Sequence, residues 1–220
     1  MIEFLSKWRF SLLLLALVGN ILLAPAFGDI SSLIAFTVLL IVIVLVLGNS
    51  KPIIISYILL AFIALLFAWL HLANEEVHFI TPAGPLFSFL ALALAMAFII
   101  KNIFTSSIVT IDTIASSLCA YLLLGFAFAH IYTLIDIIYP GSFLSSLTNE
   151  AVSFTSNKSG FLDKIYFSFI TLLTVGYGDI VPASEAAKLT SIIEGFFGQI
   201  YLVVLIARLV GMHVSQRSHD

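Results

Sequence analysis

Thr174-Val175-Gly176-Tyr177-Gly178-Asp179 is the stretch from which the rest of the chain is read. Glycines at alternate positions let successive residues take backbone angles closed to ordinary side chains, and several carbonyls then turn towards one axis. A short apolar segment, Phe161 to Leu173, runs directly into the stretch, and a long apolar helix candidate lies on each side. A bare Gly-x-Gly reads as an ordinary turn. Six residues set between two membrane-length segments read as a built feature.

The surroundings are lipid-like in composition. Of 220 residues, 61% are hydrophobic and 10% charged. A soluble domain runs nearer half apolar and a quarter charged. The net charge of -3 is too small and too dispersed to suggest nucleic acid or another polyanion as partner. The single cysteine, Cys119, rules out an intrachain disulfide and reads as a small buried side chain. There is no Gly-x-Gly-x-x-G, no Walker loop and no Ser, His and Asp arrangement suited to hydrolysis, so no enzyme and no soluble substrate are expected.

Six apolar runs are expected to span a membrane: Phe10 to Leu23, Ile30 to Leu47, Ile53 to Leu72, Leu86 to Ile100, Thr113 to Tyr139 and Ser184 to Met212. The first ends in Ala24-Pro25-Ala26, which also resembles a signal-peptidase site, but the charge pattern below works only if the segment is retained. With the N-terminus inside, the inner side holds Lys7, Arg9, Lys51, Lys101, Arg208 and Arg217, six of nine cations. The outer side holds Lys158, Lys164 and Lys188 with Asp29, Glu75, Glu76, Glu150, Asp163, Asp179 and Glu185. That bias satisfies the positive-inside rule and puts both termini in the cytoplasm. Residues 101–112 read as a linker or a short surface helix, with Asp112 or Thr113 capping the next helix. The polar segment Ser142 to Gly160 reads as a loop crowning the outer face. No internal repeat of the Gly-Tyr-Gly is present.

The six residues 174–179 resemble the selectivity filter of the potassium channel superfamily, the pore-loop tetrameric cation channels, of the bacterial type, without a departure. The resemblance extends over about residues 113–213 and implies an all-α integral membrane fold. Six transmembrane helices would carry a re-entrant pore helix and filter between helices five and six. It divides the chain into a four-helix region 1–112, a pore domain 113–213 and a short tail 214–220. One chain would supply a quarter of the filter, so the partners are three further copies and membrane lipid, in a prokaryotic plasma membrane. By the same resemblance, carbonyls of Thr174, Val175, Gly176 and Tyr177 bind potassium, and Gly178 completes the filter. No cofactor is implied beyond the permeant ion. Asp179 stands at the outer mouth, and Tyr177 packs against Tyr166, Phe167 and Phe169. Gly198 falls where the family's inner-helix hinge lies, with Gly195 beside it; close helix packing is the alternative reading of both. Gln199, Leu202 and Ile206 form a stripe expected to line the cavity. Glu194, Tyr201 and Arg208 recur every seven residues on a neighbouring stripe, expected to point sideways, with Arg208 snorkelling to the cytoplasmic interface. Glu194 is expected to be protonated, or to hydrogen-bond the back of the pore helix and tune gating, or to make a structural contact to a serine or tyrosine.

The N-terminal half resembles no charged voltage sensor, because residues 85–100 contain no charge. His71, Glu75 and His78 would share a face if their loop were helical, which permits a metal or proton site, although solvated loop residues are the plainer reading. His130 reads as a core histidine. The expected function is passive potassium conduction without a charged voltage-sensor helix. The alternatives are a silent regulatory subunit, which would be expected to carry a damaged filter, and a weakly selective cation channel, which would be expected to replace Tyr177.

Overall fold

The computed structural model describes residues 2–47, 51–73, 82–105, 110–155 and 160–217. The elements in order are α1 (Ile2–Val46), α2 (Lys51–Ala73), α3 (Ala83–Thr105), α4 (Ile111–Ile138), β1 (Phe143–Ser145), α5 (Gly160–Leu172), β2 (Ile180–Pro182) and α6 (Glu185–Arg217). Among the described residues four helices are long and apolar enough to cross a membrane: α2, α3, α4 and α6. The suggested site at His71, Glu75 and His78 rests on side chains outside the described residues.

The first two runs differ from expectation. They join into one helical element, α1, with no break at Ala24-Pro25-Ala26. That element is bent. Cys119 Sγ donates to Phe10 O at 3.3 Å, and the rings of Phe36 and His130 are 5.0 Å apart. Straight helix from residue 10 to 36 would cover about 39 Å, whereas residues 119 and 130 on α4 are only about 16 Å apart. The interval contains Pro25 and Gly28, residue types at which helices kink. A proline inside a helix is tolerated in lipid, where no water competes for the remaining backbone groups.

α4 is the central element. It is buried on nearly every side, with α1, α3, α5 and α6 packed around it. Its start is a capping box two or three residues earlier than expected: Thr110 Oγ1 accepts from Thr113 N at 3.1 Å, and Thr113 Oγ1 accepts from Thr110 N at 3.4 Å. Asp112 therefore lies in the first turn rather than at the cap. α6 begins where expected, with Ser184 Oγ accepting from Ala187 N at 3.2 Å.

The polar loop after α4 contains structure that its composition hid. β1 pairs antiparallel with β2, with Phe143 opposite Pro182 and Ser145 opposite Ile180. Phe143 is fully buried there. It stacks edge-on against Tyr132 and Phe167 and lies 4.3 Å from the Phe154 ring. Asp136, near the end of α4, accepts from Phe154 N at 2.9 Å and from Ser153 Oγ at 3.3 Å. A hydrophobic anchor and a carboxylate thus fix a segment that is mostly Ser, Thr and Asn.

Phe143→Ala is expected to cost about 3–5 kcal/mol, because it empties a space lined by three aromatic rings. Leu147→Ala, at a residue 86% exposed, is expected to change stability by under about 0.5 kcal/mol. Unfolding of the purified protein in detergent separates the two, and equal losses would contradict the burial assignment.

Candidate functional site

α5 has 13 residues, about 20 Å of helix, too short to cross a bilayer. Its C-terminus runs into the Thr174–Asp179 segment through a left-handed turn. Val175 N donates to Ile170 O at 2.8 Å and Thr174 N to Thr171 O at 3.0 Å, a Schellman pattern with Thr174 at the position usually held by glycine. Gly176 N shares the Ile170 acceptor at 3.1 Å. Thr174 has φ +57°, an outlier for a β-branched residue, and such strain is tolerated mainly where function needs it. Gly176 and Gly178 repeat the positive angle at +55° and +75°, with Val175 and Tyr177 between them outside that region. A backbone alternating in this way turns successive carbonyls to one side. The carbonyls of Thr174, Val175, Gly176 and Tyr177 accept no hydrogen bond from any described residue. All four residues are exposed.

Support comes from behind and from the two ends. Tyr121 of α4 donates from its hydroxyl to Leu172 O at 3.2 Å, at the foot of the segment. Ser146 N donates to Asp179 O at 2.8 Å, tying the far end to the β1 turn. Asp179 also binds sideways: Tyr166 Oη donates to its Oδ2 at 2.5 Å and Ile180 N to its Oδ1 at 3.0 Å. The Tyr166 donor, with the Ile180 amide, holds the Asp179 carboxyl below the usual carboxylate range. The same bond pushes the Tyr166 phenol up to about 12.

Other expected positions fall differently. Tyr177 is 74% exposed and has no ring contact with Tyr166, Phe167 or Phe169 of its own chain. Phe167 is committed to the Tyr132–Phe143 cluster, and Phe169 packs edge-on against Phe126. At Gly198 an added Cβ would lie 2.7 Å from Leu172 Cδ1 and 3.0 Å from Leu172 O, the close helix contact that the alternative reading of this glycine expects. Gly195 faces open space, and α6 runs helically through both. In the stripe Gln199, Leu202 and Ile206, the first and last are exposed. Leu202 instead packs against the cluster containing Tyr121 and Leu172, and Val203 takes the outward place. At 100° per residue a three-residue step falls 60° short of a turn, enough to move Leu202 off the face.

The stripe Glu194, Tyr201 and Arg208 does face inward to the helices. Tyr201 Oη donates to Ser117 O at 2.7 Å. Arg208 does not snorkel freely, for its Nη2 donates to Ile103 O at 2.6 Å near the end of α3, and its guanidinium lies 4.8 Å from the Phe104 ring centre. Glu194 is fully buried between α4, α5 and α6. Tyr132 Oη donates to its Oε2 at 2.5 Å, and Ser168 Oγ lies 2.5 Å from its Oε1 and 2.7 Å from Gly125 O. The expected serine or tyrosine contact is therefore both at once. Tyr121, Tyr132, Ser168 and the β1–β2 pair had no sequence signal of their own. Among the described residues no group of three or more His, Cys, Asp or Glu side chains could hold a metal ion.

Residues 117–214 match the family described as Ion channel. The chain is 34% identical over 102 residues to the two pore potassium channel c of Oryza sativa subsp. japonica, covering 46% of this chain and 19% of that one. It is 37% identical over 71 residues to a hyperpolarization-activated voltage-gated potassium channel of Methanocaldococcus jannaschii, covering 32% and 33%. It is 38% identical over 61 residues to the potassium channel protein kcv of Paramecium bursaria Chlorella virus 1, covering 28% and 62%. The chain spans about a fifth or less of the length of the plant relatives it matches. No solved structure matches it.

Because its Tyr166 bond favours the charged form, Asp179 is expected to stay ionised, and the contact intact, down to and below the usual carboxylate value near pH 3.9. The contact is lost only as pH falls through the depressed value. Tyr166→Phe is expected to return Asp179 towards that ordinary value. The carboxyl carbon resonance of labelled aspartate followed through an acid titration reads the shift, and identical titrations in both proteins would refute it.

Proposed function

We infer that the chain belongs to the potassium channel superfamily and that it forms a homotetrameric, potassium-selective pore. Thr174 to Gly178 of four copies would meet at the axis, and their free carbonyls would replace the water shell of a dehydrated potassium ion. The observation that carries this reading is the alternation of positive φ at Thr174, Gly176 and Gly178, together with four carbonyls that accept nothing from any described residue. A tetramer is supported by what one chain leaves uncovered. Tyr177 and the α6 residues Ile192, Phe196, Val203 and Ile206 are all exposed. Gln199 and Ile206, with Val203 replacing Leu202, would line the inner cavity.

In this reading residues 113–213 form the pore domain, α5 is the re-entrant pore helix, and residues 1–112 form a separate transmembrane region. The two arms of α1 cross the membrane in opposite directions, giving six spans with both termini cytoplasmic. Shared contacts support that arrangement: Phe10 meets Cys119 near the start of α4, and Leu40 O accepts from Tyr57 Oη near the start of α2. α3 carries one ionisable residue, Lys101, too little for steep voltage gating, which needs several charges. Conduction is passive, with potassium and lipid as the only other participants.

Potassium flux into liposomes containing the purified protein, with sodium as competitor, is the direct test. Selective potassium flux that Gly176→Asp abolishes is expected. Equal sodium and potassium flux would reject selectivity.

A further inference from the structure

Ser168 carries one hydroxyl hydrogen, yet its Oγ lies 2.7 Å from Gly125 O and 2.5 Å from Glu194 Oε1. The Gly125 carbonyl has no hydrogen to give. Two oxygens that close repel unless a hydrogen lies between them, so the Ser168 hydrogen belongs on the Gly125 edge. The hydrogen on the other edge must then come from Glu194. The second carboxyl oxygen is served separately by Tyr132 Oη at 2.5 Å. Ser191, the remaining polar neighbour, directs its own hydrogen to Ala187 O at 2.9 Å. With one proton on the carboxyl, every hydrogen of these four side chains has an acceptor.

The charges nearby fit the same count. α4 presents Tyr132 to the carboxyl, with Tyr121 as a further electrostatic neighbour, α5 presents Ser168, and α6 presents Ser191. None is a cation. An ionised carboxyl here would be a buried charge without an opposite partner among the described residues.

We infer that Glu194 is a neutral carboxylic acid that donates to Ser168 and accepts from Tyr132, and that this pair of bonds makes it the residue positioning α5 between α4 and α6. Its consequence for conduction rests on the channel reading above. Ser168 lies two residues before Ile170, whose carbonyl receives the Val175 and Gly176 amides. Displacement of α5 is therefore displacement of the carbonyl column. Glutamine reproduces the pattern, its amide nitrogen donating to Ser168 and its oxygen accepting from Tyr132. Alanine removes both bonds.

The test compares wild type, Glu194→Gln and Glu194→Ala by infrared difference spectroscopy and by competitive flux in liposomes. Wild type minus Glu194→Gln is expected to contain the carbonyl band of a protonated carboxyl. Glu194→Gln is expected to keep the potassium-to-sodium ratio within about twofold, and Glu194→Ala to lower it about tenfold or more, the scale of two lost buried hydrogen bonds. Absence of the protonated band overturns the inference. So does a glutamine variant as defective as the alanine one, or an alanine variant that keeps the wild-type ratio. If Glu194→Ala does not assemble, the band and the glutamine variant decide. A wild type that conducts nothing defeats the channel reading instead. The band then still decides the proton, and equal thermal midpoints for wild type and Glu194→Gln decide the strut.

Discussion

A run of carbonyls that must stay free has to be held in place by everything except those carbonyls. In a helix or sheet the acceptors are what fix the backbone, so residues 174–177 forgo the usual means of rigidity. The protein answers from three directions. The amides of Thr174, Val175 and Gly176 turn back onto α5, Leu172 O is held by Tyr121, and Asp179 is held at both backbone and side chain. The strained Thr174 angle persists because these bonds over-determine it.

The same requirement explains why so much polar chemistry lies in an apolar bundle. Glu194, Ser168, Tyr132, Tyr121 and Tyr201 are buried or half-buried, and their hydroxyl or carboxyl groups tie one helix to another. In lipid, apolar packing alone gives little preference for one helix orientation over another, whereas a hydrogen bond fixes azimuth and height together. The tyrosines suit this task, since one end packs and the other reaches a carbonyl on the next helix.

Much of this was legible in the sequence. The positions of α2 to α6 follow from apolar runs, because in lipid the helix is the only open-ended structure that satisfies its own backbone. The alternating backbone of residues 174–178 follows from two glycines whose spacing has few other uses. What stayed hidden depended on contacts between distant residues. β1 is three residues in a polar loop, and it forms because Phe143 finds a pocket among Tyr132, Phe154 and Phe167, which no local pattern encodes. Leu202 left its expected stripe by a fraction of a helical turn. The bent α1 read as two segments because proline breaks helices in water, and the same residue is tolerated where neighbours are apolar. Glu194 announced itself as an acid among apolar residues, but its partners lie 62 and 26 residues away.

At Gly198 the absence of a side chain lets α6 rest directly against both the side chain and the carbonyl of Leu172. A side chain there would act as a cushion and absorb small movements of one helix before the other felt them. Bare contact transmits them. Bending or rotation of α6 at this height therefore bears directly on Leu172, at the foot of the 174–179 segment.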